Sequence, residues 1–317
     1  MKIGVLLPTR EAALRGDWDA RGLITFAQQA ERLGFDSVWT GDSLLATPRF
    51  EPLSLLSAIA ATTSAITVGT ATLLAPLRHP LLAAHAIATL DHISEGRLIV
   101  GVGSGFPRPR TAAEFSAVGV PMHERAGRLV ETVKLWKKLW NHTDGMPLSF
   151  EGRYWNLDAL ETLPVPSRRG GPPVWFAGAG PRALRTAGGV FDGWLPYPPR
   201  PEDYGSSRAD LLSAAATAGR KPSALTSALY LTINLNDDPA EARAELDTYA
   251  QAYYGLPLEM VEQVQAFAYG PEEVCRQRMN LYVAEGAEHI VVRIGTLIDP
   301  LAQLERIAHA LLPERTS

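Results

Sequence analysis

Three clusters of small residues carry the chemistry that can be read in this chain. They are Gly69-Thr70-Ala71-Thr72, Gly101-Val102-Gly103-Ser104-Gly105 and Ala177-Gly178-Ala179-Gly180. Each follows or ends a short apolar run with the make-up of a buried strand. Backbone stripped of bulky side chains at such strand ends lets a flat ring or a phosphate approach closely. The third cluster also precedes Pro181, a residue suited to a first helical turn, so free N–H groups and the helix dipole there form an anion cradle. Two groups could exchange protons beside these clusters. Asp42 lies just past a predicted strand at the face where the clusters gather, and His79 precedes Pro80 in a loop.

Several other motifs fail on context. Gly101–Gly105 is followed by no Gly-Lys-Ser/Thr, so it is not a nucleotide phosphate loop. Gly178–Ala183 satisfies GxGxxA, but the acidic residue expected about 20 positions on is missing and Pro196-Tyr197-Pro198-Pro199 stands in that region. His85 and His92 are seven residues apart with no carboxylate pattern, and Cys275 is alone, so no metal site is expected. Ser43 sits in a GDSL string without the G-x-S-x-G elbow of a hydrolase.

The elements that must position these clusters alternate along the chain. Strands are predicted at Lys2–Leu7, Ser37–Thr40, Ile66–Thr72, Leu98–Gly103, Val174–Ala177, Gly193–Leu195, Thr226–Asn234 and His289–Ile294. Helices separate them, including helices between Pro239 and Gly286, with an edge strand or hairpin over Leu148–Leu157, and the role of the Gly255–Tyr269 segment is open. Pro107 and Pro109 are read as delaying any helix after the fourth strand. Eight strand–helix pairs favour one (β/α)8 TIM barrel over residues 1–317, with loop insertions after strands four and seven, and a doubly wound sheet is the alternative.

At 317 residues, 46% hydrophobic, 20% charged and with a formal net charge of −4, the chain has the composition of an ordinary globular protein. Nothing basic is interleaved with aromatics, which argues against a nucleic-acid partner. No run reaches the roughly 20 apolar residues of a membrane span, and the apolar start before Pro8 is short for a signal peptide. With a single cysteine, a cytoplasmic protein is expected.

Taken together, Val38–Leu45, Val68–Pro80, Leu90–Pro107, Phe150–Leu157 and Val174–Pro196 resemble the bacterial luciferase-like superfamily of flavin- and deazaflavin-dependent barrels. The resemblance runs from Met1 to about Pro196 and continues more weakly beyond. It implies a homodimeric oxidoreductase holding its cofactor at the C-terminal ends of the strands. It further implies a non-proline cis peptide at Ala71-Thr72 beneath the ring, and cofactor contacts from Gly103, Ser104 and Gly105 and from Ala177, Gly178, Ala179 and Gly180. Trp39, Ser43, Phe106, Trp194 and Tyr197 fall at or near strand ends, where they could wall a substrate pocket.

The cradle Ala177–Gly180 is similar to that of relatives using coenzyme F420, and it lacks the hydroxyls with which FMN users bind phosphate. Arg78, Arg108 and Arg110 could meet an anionic tail. Hydride transfer between coenzyme F420 and a small apolar organic substrate is therefore expected, with a separate F420 or flavin reductase as a possible partner. The alternatives are a two-component FMN monooxygenase and a flavin-binding barrel without turnover. Relatives that oxidise sugar phosphates have histidine and glutamate where Ser43 and Phe106 stand here, which argues against that substrate.

Overall fold

The computed structural model describes residues 1–142, 145–161 and 163–312. Eleven strands are present among them: β1 (Lys2–Leu6), β2 (Ser37–Thr40), β3 (Thr67–Leu73), β4 (Leu98–Val102), β5 (Leu148–Glu151), β6 (Asn156–Leu160), β7 (Val174–Phe176), β8 (Gly193–Trp194), β9 (Thr226–Leu235), β10 (Phe267–Gly270) and β11 (His289–Ile294). Eight parallel strands close into a barrel in the order β1-β2-β3-β4-β7-β8-β9-β11, with β11 pairing back onto β1. Helices cover the outside, so the fold is a (β/α)8 TIM barrel as the strand–helix alternation predicts.

The surplus chain lies in the two expected places. After β4 come the helices Pro109–Ala117 and Arg125–Trp140 and the antiparallel β5–β6 hairpin. After β9 come the helices Pro239–Tyr254 and Leu258–Val261 and then β10, a ninth parallel strand on the C-terminal half of β9. The Gly255–Tyr269 segment thus turns away from the long helix and ends in β10. One expectation is corrected here: Pro109 begins a helix rather than delaying it. Its ring sits at the first helical position, where the missing N–H has no partner to lose.

Glycine placement explains how the barrel interior fills. Trp39 and Trp175 meet inside it with ring centroids 5.2 Å apart, and each packs edge-on against His289. A Cβ on Gly69 would lie 2.4 Å from the Trp39 ring, and one on Gly193 2.5 Å from the Trp175 ring. Inward-facing glycines on β3 and β8 therefore make room for two large rings. Below them His289 and Ser37 share a hydrogen bond of 2.8 Å, and the Trp39 indole N–H donates to the same hydroxyl at 2.7 Å. This layer is a packed floor, not a pore.

Candidate active site

The third strand carries the expected irregularity. The peptide bond Ala71-Thr72 is cis, and the β3–β4 register shifts between Thr70 and Leu73. The glycines of β4 let this bulge come close. A Cβ on Gly101 would sit 2.1 Å from the Thr70 carbonyl oxygen, and one on Gly103 2.6 Å from Thr72 Oγ1. Thr70 Oγ1 also donates to the Gly101 carbonyl at 2.7 Å. Gly103 therefore serves the seating of the bulge, while Ser104 opens into the adjoining cleft.

That cleft measures 1010 Å³ and brings Ser104 together with Ala177, Gly178, Ala179 and Gly180. Gly180 caps the helix Pro181–Val190 with φ +89° and no side-chain partner, leaving the first-turn N–H groups to a ligand. Lys134 and Arg182 add cationic groups along the walls, which also carry Glu124, Glu131 and Glu151. A Cβ on Gly180 would meet nothing within 4 Å, so the cradle is open. Gly105, with φ +82°, instead turns the chain against Phe115 and Thr111.

The candidate proton-exchanging groups are differently employed. Asp42 accepts from Arg78 Nη1 at 2.5 Å and from the Leu74 N–H at 2.8 Å, so its carboxylate ties the loop after β2 to the loop after β3. Arg78 also reaches Glu51 at 3.0 Å, which commits it to these carboxylates rather than to a cofactor tail. His79 precedes the helix Pro80–Ile93, packs edge-on against Trp155 at 5.3 Å and lines a 590 Å³ outer groove with Leu53 and Leu82. Ser43 Oγ donates to Glu114 at 3.2 Å and receives the Thr47 N–H at 2.9 Å, fixing its own loop.

Two of the aromatic pocket residues need correction. Trp39 lies in the closed barrel floor, fully buried, because its inward side chain starts below the mouth. Trp194 points outward, since strand alternation puts Gly193 and Leu195 inside. It stacks on Tyr204 at 5.3 Å and supports the cradle from behind, its indole donating to the Gly178 carbonyl at 2.9 Å. Phe106 and Tyr197 do meet at the mouth, stacked at 6.5 Å. Burial pushes the Tyr197 phenol up to about 12.

The sequence reading misses a polar cluster across the mouth from this pair. Arg293, buried at the top of β11, donates to Thr232 and Gln265 and lies 4.8 Å over the Tyr253 ring. Arg10 stacks on the other side of the cluster, 3.8 Å from the same ring centroid, and Arg49 Nη2 reaches the Tyr253 hydroxyl at 3.4 Å. Inward alternation on β11, from His289 through Val291 to Arg293, is the signal that could have revealed it. Among the described residues no group of three or more His, Cys, Asp and Glu side chains is placed to hold a metal ion, and no helix is long and apolar enough to cross a membrane.

A (β/α)8 barrel thus carries an irregular third strand and an open helix N-terminus at the C-terminal ends of its strands. Residues 1–293 match the luciferase-like monooxygenase family, and the chain belongs to that family. It is 30% identical over 287 residues to the F420-dependent glucose-6-phosphate dehydrogenase of Kineococcus radiotolerans, covering 85% of this chain and 79% of that protein. It is 32% identical over 253 residues to the F420-dependent hydroxymycolic acid dehydrogenase of Mycobacterium tuberculosis, covering 75% of this chain and 68% of that one. An F420-dependent secondary alcohol dehydrogenase, solved with an F420-acetone adduct, shares the fold with a TM-score of 0.81 at 20% identity and 98% coverage of both chains.

Proposed function

We propose that this protein is an F420-dependent oxidoreductase that moves hydride between the deazaflavin and a carbonyl or alcohol carbon of a small, largely apolar organic substrate. The observation that carries this reading is the meeting of Ser104 and the Ala177–Gly180 cradle in one cleft beside the cis Ala71-Thr72 bulge. The cradle fits the group. It presents open backbone N–H groups, a helix N-terminus and nearby cations, and no residue of Ala177–Gly180 carries a hydroxyl. F420 supplies the carbon that gives or takes the hydride.

The chain's own residues supply position and dryness. Ala71 and Thr72 would support the ring, Ser104 and the cradle would hold the polar chain, and Phe106 with Tyr197 would cover the apolar part of the substrate. The F420-dependent relatives named above support the cofactor, while Ser43 and Phe106 argue against carrying over the sugar-phosphate substrate of the first. A homodimer, a cytoplasmic setting and a separate cofactor reductase belong to the same reading. Reduced F420 mixed with the protein and a panel of ketones, aldehydes and enones tests it. Carbonyl-dependent oxidation of the cofactor is expected, whereas formation of an oxygenated product from reduced FMN, oxygen and an organic substrate, in place of F420 turnover, would replace this reading with a monooxygenase.

A further inference from the structure

The mouth of the barrel holds three guanidinium groups around one phenol. Arg10, from the segment after β1, has its guanidinium carbon 3.8 Å from the Tyr253 ring centroid, and Arg293, from β11, lies 4.8 Å from it. Arg49, from the loop after β2, reaches the Tyr253 hydroxyl at 3.4 Å. Among the described residues none of the three makes a carboxylate ion pair. The acid within the cluster, Glu11, accepts instead from Tyr249 Oη at 2.6 Å. Arg293 is buried and Arg10 and Arg49 are half-buried, and one carboxylate, Glu11, faces the three guanidinium groups, so the cluster can take up negative charge that develops there.

The phenol itself is uncommitted. Tyr249 donates to Glu11 and Tyr254 to Gln265, whereas the Tyr253 hydroxyl receives from Arg49 and has no acceptor for its own proton among the described residues. Buried atoms nearby also lack partners: Nε of Arg10 and of Arg49, Thr9 Oγ1, Glu11 Oε2 and Asn234 Oδ1. Arg49 links the cluster to the ring site. A Cβ on Gly41 would lie 2.1 Å from Arg49 Nη1 and 3.6 Å from the carbonyl oxygen of Ala71, in the cis bulge. On its other side Arg49 lines a cavity of 240 Å³ with Asp42 and Phe50.

We propose that Tyr253 is the catalytic residue that exchanges the proton with the substrate oxygen, and that Arg49 donates a hydrogen bond to the same oxygen. This rests on the oxidoreductase reading above and gives its substrate class: a carbonyl compound or the matching alcohol. In the reducing direction the carbonyl carbon receives hydride, with its electron pair, from the reduced deazaflavin. The π pair of the C=O bond forms the new O–H bond with the proton leaving Tyr253, and the phenolate stays among Arg10, Arg49 and Arg293 until water reprotonates it. Burial pushes this phenol up, but Arg49, Arg293 and Arg10 outweigh burial and the opposing Glu11 and hold it below the usual tyrosine value. Tyr230, facing the same cluster from β9, is raised by burial, as are Tyr249 and Tyr254 from the helix that carries Tyr253.

The test begins without cofactor or substrate. The ultraviolet phenolate absorbance of the full chain is titrated with pH for wild type, Tyr253→Phe and Arg49→Gln. One of the nine tyrosines is expected to ionise below the ordinary value of about 10, to vanish from the curve in Tyr253→Phe, and to move upward in Arg49→Gln. Superimposable wild-type and Tyr253→Phe curves below pH 10 overturn the assignment. With F420 and a reducible ketone, Tyr253→Phe is expected to lower kcat about 100-fold, to leave F420 affinity unchanged, and to remove one limb of the pH profile. An unchanged kcat and profile with cofactor bound overturns this proposal alone. Failure of F420 to bind wild type overturns the cofactor reading instead, and leaves the phenolate titration, which needs no cofactor, to decide the assignment of Tyr253.

Discussion

Acidification from pH 7 to pH 5 should weaken this fold through one side chain, His289. Burial between Trp39, Trp175 and Ser37 depresses its imidazole to about 3 from 6.5, with Lys2 adding a smaller push in the same direction. A base depressed on folding stays neutral in the native state while the unfolded chain takes up a proton below about 6.5. Its contribution is therefore fully present above that value and is lost as pH falls. Between pH 7 and pH 5 the loss is about 2 kcal/mol, and it hardly depends on the folded value so long as that lies below about 4. Urea unfolding of wild type and His289→Gln at both pH values isolates the effect, because the other titrating groups are common to both. The stability gap between the two proteins should narrow by about 2 kcal/mol on acidification. Parallel pH dependences would refute the reasoning and place a protonated imidazole inside the barrel.

Other consequences follow from single contacts. Gly69→Ala drives a methyl to 2.4 Å from the Trp39 ring and should cost about 1–3 kcal/mol, read as a lower urea midpoint. Trp194→Phe keeps the stack on Tyr204 but loses the 2.9 Å hydrogen bond to the Gly178 carbonyl. F420 affinity should fall about fivefold, matching about 1 kcal/mol, and an unchanged affinity in equilibrium titration would detach the cradle from the cofactor. Asp42→Asn removes the charge that holds Arg78 and should lower stability by about 2 kcal/mol without moving the pH profile of turnover. A shifted profile would return Asp42 to the role of proton donor.

Local pattern and global fold agree along most of this chain, which is why the eight barrel strands and the helix that starts at Pro181 after the small residues Ala177–Gly180 are legible before any coordinates, whereas the bulge at Ala71-Thr72 is legible only through the family resemblance. Small residues at strand ends report backbone approach directly. Side-chain direction is less legible on short strands. A shift of one residue on the two-residue β8 exchanges Gly193 for Trp194 at the barrel interior, so the pattern alone does not say that Trp194 faces outward. The helix at Pro109 was missed because proline is a breaker within a helix and a good first residue of one. The arginine–tyrosine cluster was out of reach because its members, Arg10, Arg49, Tyr253 and Arg293, come from four elements that meet only when the barrel closes. Asp42 and His79 drew attention by residue type, and their partners Arg78 and Trp155 lie 36 and 76 positions away in sequence.

The most direct test of the central claim is equilibrium binding of F420 and of FMN to the purified protein, each oxidised and reduced, followed by quenching of tryptophan fluorescence. Selective, saturable F420 binding that weakens in Gly180→Val, where a β-branched residue is forced to φ +89° at the helix cap, is the predicted result. Preference for reduced FMN, or F420 binding indifferent to that substitution, would contradict the account.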